Sequence, residues 1–150
     1  MTNSEKQVIV NALIKEGKRL NLKSLAVCLS WVQFEVPNVK SADDTLHYEI
    51  RWSKFKNDAS GHDGKTLYIE LHAEKHNYAK KYKNIAKTKG LGRLESFLYD
   101  SGKYIGFRIK GKKYGLTKIL DSANNGCLLI QNVIQDVLSL DRECRRNRFF

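Results

Sequence analysis

The sequence contains little proline and little cysteine, and neither residue type marks a special architecture. Pro37 is the single proline, and no Pro-rich or Gly/Ser-rich stretch divides the chain. The three cysteines, Cys28, Cys127 and Cys144, lie far apart without paired spacing, so neither a zinc knuckle nor a redox pair is indicated. We therefore expect a single globular domain covering residues 1–150.

Long apolar runs are also missing. No run approaches the roughly 20 residues that a membrane-spanning helix needs. The opening residues, MTNSEKQVIV, are polar where a secretory signal would carry a basic end and an apolar block. We expect a cytoplasmic protein that makes no membrane contact.

Acidic residues are scarce in one part of the chain. The segment from Lys75 to Lys118 holds thirteen Lys/Arg and only two acids, Glu95 and Asp100, a surplus equal to the net charge of +11 of the whole protein. A surplus confined to one segment can build one positively charged face if that segment folds compactly. The first partner to consider is therefore a polyanion.

Hydrophobic patterning predicts an α+β fold. Helical spacing indicates helices after Ser4, with Gln7 completing a capping box, after Asn77, and over the apolar stretch from Leu128. Five strands are predicted, over 25–36, 46–53, 66–75, 104–109 and 114–120, the last two joined by a tight turn at Gly111 and Lys112. The simplest architecture is a mainly antiparallel sheet of about five strands with the N-terminal, central and C-terminal helices packed on one face.

The basic segment interleaves aromatic residues with its cations. Cations neutralise phosphates, while aromatic faces stack on unpaired bases, so this mixture favours RNA or single-stranded DNA. Arginine is the better phosphate ligand because its guanidinium forms two parallel hydrogen bonds. The predicted contact residues are Lys80, Lys81, Lys83, Lys87, Lys89, Arg93, Arg108, Lys110, Lys112, Lys113, Tyr78, Tyr104 and Tyr114. The leading hypothesis is a small nucleic-acid-binding protein without catalysis or cofactor of its own.

The two cleanly alternating strands suggest an alternative function. If they pair antiparallel about the middle of their connection, His47 lies opposite His72 and Glu49 opposite Glu70 on the polar face. Two imidazoles and two carboxylates could hold a divalent metal such as Mg²⁺ or supply a general acid and base. The alternative is therefore a metal-dependent nuclease, and ordinary polar residues on a solvated strand face are the competing interpretation.

One nuclease family offers a partial comparison. The order helix, three strands, helix is similar to the core of the PD-(D/E)XK nucleases, in which one residue separates a carboxylate from a lysine. Glu74 and Lys75 are adjacent here, so that motif is absent.

Protein partners are a further possibility. The helix from Leu128 is apolar over so much of its surface that it must pack in the core, against a second copy or against a host protein. The C-terminal RECRRNRFF is interpreted as a frayed helix end, with a short partner-docking tail as the alternative. A non-catalytic protein that docks on a nucleoprotein enzyme, and inhibits or adapts it, is the second alternative.

Overall fold

Four helices and a seven-stranded antiparallel sheet make up the fold, as seen in a computed structural model that describes residues 1–39, 46–54 and 61–150. The elements are α1 (Asn3–Arg19), β1 (Ser24–Cys28), β2 (Trp31–Glu35), β3 (Leu46–Arg51), β4 (Thr66–Ala73), α2 (His76–Thr88), β5 (Leu94–Tyr99), β6 (Tyr104–Ile109), β7 (Lys113–Gly115), α3 (Leu116–Asn124) and α4 (Leu128–Arg146). The strand order is β1-β2-β3-β4-β6-β5, with β7 also paired to β4. The predicted α+β class is confirmed, and the predicted count of about five strands is wrong.

Two extra strands account for the difference. The run 25–36 was predicted as one strand, but it reverses at Leu29 and Ser30, so that Cys28 pairs with Trp31 in a β1–β2 hairpin. No glycine, asparagine or proline marks that reversal, and turn chemistry could not reveal it. The other addition is β5, from the segment LESFLY, which pairs along its whole length with β6.

The predicted basic hairpin at Gly111 does not form. β6 pairs with β4 through residues 105–107, and β7 pairs with the other half of β4 through Thr66, Leu67 and Tyr68. The chain from Tyr104 to Gly115 thus follows one edge of β4 in two pieces, and the turn at Gly111 is an interruption of that path. The segment after Gly115 is helical rather than extended, because α3 begins at Leu116.

Helices α1, α2 and α4 lie against one face of the sheet, and α3 packs against α1 and α4. Gly17 of α1 lies so close to the Phe34 ring that an added Cβ would fall 2.5 Å from it. On α4, Asp141 accepts a hydrogen bond of 2.6 Å from the Tyr48 hydroxyl of β3. The ring of Tyr82 on α2 contacts Phe107 of β6, with 6.1 Å between centroids. The core therefore lies between these helices and the sheet.

Two helix starts differ from the sequence prediction. The capping box of α1 is formed by Thr2 and Glu5, each side chain bonded to the other's backbone amide, rather than by Ser4 and Gln7. Helix α2 begins at His76, with Lys75 at the cap position and no side-chain cap. Asn77 therefore lies inside the helix.

Helix α4 places its apolar residues in the core. Ile130, Val133, Ile134, Val137 and Leu140 are all buried, whereas Leu128 at its first turn is 68% exposed. The predicted frayed end is wrong, since α4 continues to Arg146 and Phe149 beyond it is 1% exposed, stacked against Tyr82 and Phe107. Among the described residues, no helix has the length and apolarity needed to cross a membrane.

Candidate functional site

The pairing of β3 with β4 brings the predicted cluster together. His47 lies opposite His72 and Glu49 opposite Glu70, in the register expected for pairing about the middle of the connection. Glu74, just beyond β4, continues the same alternation. One face of the two central strands therefore carries histidines and carboxylates, while Tyr48 and Leu71 point to the helices on the other face.

This polar face is buried rather than solvated. His47, Glu49, Glu70 and His72 are each at most 1% exposed. The cover comes from the β5–β6 hairpin, where the ring of Tyr99 lies 4.7 Å from that of His72. The competing interpretation of a solvated strand face is wrong for these residues, because the alternation of a strand identifies its faces but does not show what later folds over them.

Gly106 of β6 leaves room for the Phe97 ring of the β5–β6 hairpin to lie close to the sheet. It pairs with His72 in the neighbouring strand and lies beneath the Phe97 ring, so that an added Cβ would fall 2.3 Å from the end of that ring. We expect Gly106→Ala to displace Phe97 and to lower the free energy of unfolding by about 1–3 kcal/mol. Urea unfolding measures this, with Gly90→Ala as the control because nothing lies within 4 Å of an added Cβ there. Equal stabilities of the two variants would contradict the expected crowding.

His72 is at the centre of the cluster. Its Nδ1 lies 2.7 Å from Glu49 Oε2 and 3.3 Å from Glu74 Oε1, and its Nε2 lies 3.0 Å from Glu70 Oε1. On the adjacent strand, His47 Nε2 lies 3.2 Å from Glu49 Oε2 and 3.9 Å from Glu74 Oε1. Both imidazoles thus face the same two carboxylate oxygens.

The carboxylates and imidazoles of the cluster shift one another's pKa values. Burial alone raises the pKa of Glu49, but the neighbouring His72 and His47 outweigh it and hold the pKa of Glu49 well below its usual value. Burial likewise lowers the pKa of His72, yet Glu49 outweighs it, and the pKa of His72 is raised well above its usual value. The carboxylates on both sides of its ring therefore favour the protonated form of His72.

Glu70 joins the cluster to the covering layer. Its Oε1 is 3.0 Å from His62 Nε2, and its Oε2 accepts a bond of 3.2 Å from Arg108, which also donates to Glu95 at 2.9 Å. The Arg108 guanidinium stacks over Phe97, 4.9 Å from the ring centroid. Burial raises the pKa of Glu70, but its bonds to His62 and His72 lower it overall.

The set of residues suited to a metal differs by one from the predicted set. The ligand atoms of His47, Glu49, His72 and Glu74 all lie within 4.8 Å of one another. Glu70 is instead the partner of His72 on the far side of the ring. The alternation through Glu70, His72 and Glu74 could have identified Glu74, whereas His62 and Tyr99 come from distant segments and no sequence signal pointed to them.

A separate, lysine-lined groove lies along α2. It has a volume of about 660 Å³, and its lining includes Lys80, Lys81, Lys83, Lys87 and Lys103 but no carboxylate from residues 1–39, 46–54 or 61–150. Lys83 donates from Nζ to the carbonyls of Gly102 and Lys103, at 2.7 and 3.0 Å, and so ties the helix to the β5–β6 turn. Four of these lysines were predicted as contact residues, and Lys103 was not.

The other predicted cations lie elsewhere. Lys110 donates to the Gly92 carbonyl at 3.3 Å, and Lys112 is 3.5 Å from Asp136. Lys89 donates to Asn147, and Arg93 is exposed beside the backbone of Lys110. Lys113 is exposed on β7, while Arg108 is engaged by two carboxylates inside the covering layer. The groove therefore holds only part of the basic segment.

The three predicted tyrosines are half-buried. Tyr78 packs against the core, and the Tyr104 ring lies 5.8 Å from Tyr99 across the β5–β6 pair. The Tyr114 hydroxyl donates to Asp136. None of the three is among the residues that line the groove, where the one described ring is the imidazole of His76.

Comparison with known proteins finds no relative of this chain. No protein-family model matches the chain, and no curated protein and no solved structure is significantly similar to it.

Proposed function

We propose that this protein binds RNA or single-stranded DNA through the lysine-lined groove along α2. The observation that carries the proposal is that five lysines line one groove, to which the described part of the chain contributes no carboxylate. Ammonium groups neutralise phosphates as point charges and release the counterions condensed on the polymer. The lysines of this groove would contact the sugar–phosphate backbone, while His76, Asn77 and Asn84, which also line it, supply one ring and two amides that can contact bases.

Salt dependence tests this proposal. If all five lysines contact phosphates, the logarithm of the association constant should fall against the logarithm of salt concentration with a slope of about −3 to −4 for single strands. Fluorescence anisotropy of labelled RNA, single-stranded DNA and duplex DNA, measured from about 50 to 300 mM salt, gives this slope. A slope flatter than about −1, or no binding at the lowest salt, would remove the proposal.

The nuclease hypothesis has less support from the geometry. A hydrolytic metal must hold a water and reach the scissile phosphate, whereas His47, Glu49, Glu70 and His72 are all buried. Glu74 is the most exposed member of the cluster, with 28% of its side chain accessible. We therefore propose binding without cleavage as the function of the groove.

A further inference from the structure

We propose that His47, Glu49, His72 and Glu74 form a binding site for one zinc ion. The ligand atoms would be His47 Nε2, Glu49 Oε2, His72 Nδ1 and Glu74 Oε1, which already face one another. The inference goes beyond nucleic-acid binding, since it concerns a buried face of the sheet on which the groove proposal does not depend.

The separations of the donor atoms match a tetrahedral site. Zinc binds nitrogen and oxygen at about 2.0–2.2 Å, which places neighbouring donor atoms of a tetrahedron about 3.3 Å apart. Four of the separations here are 2.7, 3.2, 3.3 and 3.9 Å. Small movements of the carboxylates would equalise them around a central ion.

The donor types select zinc over magnesium. Two imidazole nitrogens suit zinc and similar transition metals, whereas Mg²⁺ prefers oxygen ligands and retains several waters in an octahedral shell. Burial of His47, Glu49 and His72 leaves little space for such waters. Magnesium, the example named for the nuclease alternative, is therefore a poorer fit to these residues than zinc.

The surrounding residues orient three of the four ligands as in known metal sites. A metal-bound histidine usually directs its other ring nitrogen to a carboxylate, and His72 Nε2 is 3.0 Å from Glu70. Arg51 donates to Glu49 Oε1 at 3.0 Å, and that oxygen is not one of the four ligand atoms. The Tyr99 hydroxyl donates to Glu74 at 3.0 Å. Each of these three ligands therefore has a support that fixes its position.

Four protein ligands indicate a structural role. Catalytic zinc sites keep a position open for water, whereas structural sites are closed by four protein ligands. The ion would join β3, β4 and the residue that leads into α2, replacing the attraction between His72 and the carboxylates. We expect zinc to stabilise the fold and to leave the lysine groove unchanged.

Zinc titration of the chelator-treated full chain tests the inference. We expect uptake of one zinc per chain in competition with a chromophoric chelator, a rise in melting temperature on zinc addition, and the visible absorption bands of tetrahedral cobalt when Co²⁺ replaces zinc. Absence of uptake by folded protein, judged by circular dichroism, would overturn the proposal. Octahedral cobalt spectra would overturn the closed tetrahedral site.

A rim substitution identifies the site without disrupting the core. Glu74→Gln alters the most exposed ligand, and we expect it to weaken zinc binding at least tenfold, while His76→Gln should leave binding unchanged because His76 is exposed and outside the cluster. Equal loss in both variants, or in neither, would overturn the assignment. Replacing groove lysines should leave zinc uptake intact, so failure of either proposal is distinguishable from failure of the other.

Discussion

Replacing Glu70 by glutamine is expected to lower the free energy of unfolding by about 3 kcal/mol. The carboxylate is fully buried and faces three cationic or imidazole partners, His62, His72 and Arg108. Glutamine keeps the volume but removes the charge, so the Arg108 guanidinium, whose side chain is 13% exposed, loses one of the counter-charges that the described residues give it. Urea unfolding should show an earlier midpoint with an unchanged dependence on urea concentration.

Glu95 provides the matched control for this substitution. It binds the same guanidinium as Glu70, but its side chain is 42% exposed. An exposed ion pair contributes little because water screens it, so Glu95→Gln should cost less than about 1 kcal/mol. Similar losses of unfolding free energy in the two variants would show that burial of Glu70 does not make its ion pair with Arg108 more important for stability than the exposed pair.

Neutralising the exposed groove lysines is expected to abolish most nucleic-acid binding. Lys80, Lys81 and Lys87 are exposed, and none forms an ion pair within the described part of the chain. The triple change to glutamine should weaken binding of single strands at low salt about tenfold or more and flatten the salt slope by about 2. Lys83 is left in place because it holds the β5–β6 turn.

The control for the lysine variant must change the net charge equally. Lys15, Lys18 and Lys23 are exposed and lie on α1 or just after it, outside the groove. Their triple change to glutamine should alter affinity only slightly, through the long-range field, and leave the salt slope nearly unchanged. Equal weakening by the two variants would indicate attraction to net charge rather than a site.

The sequence allowed the central pairing to be predicted because two strong alternations flank one connection. A slip of one residue would turn every side chain of a strand to the other face, so the pattern of Leu46, Tyr48 and Ile50 excluded odd slips. Pairing about the middle of the connection was then the assumption that selected one of the remaining registers. The site residues on the opposite face followed from the same constraint. The cover could not be predicted, because Phe97 and Tyr99 come from a segment with no clean periodicity, separated from Glu70 by α2.

The basic segment shows a different limit of sequence reasoning. Confinement of charge along the chain suggested one face, but the topology distributes the cations between α2, the covering layer and the interruption after β6. Arg108 illustrates the reason: its place in β6 points it toward Glu70 and Glu95. The guanidinium geometry that made Arg108 a candidate phosphate ligand suits carboxylates equally well, and two carboxylates lie beside it in the fold.

The bonds from Lys83 to two turn carbonyls bear on the thermodynamics of binding. Because they fix the distance between α2 and the β5–β6 turn, the groove is preorganised before any ligand arrives. Association should then incur little entropic penalty from ordering the backbone, and the cost would fall mainly on the flexible polynucleotide and the lysine side chains. A rigid nucleic-acid hairpin would consequently bind more tightly than an unstructured strand of equal charge, because the hairpin loses less conformational entropy on binding.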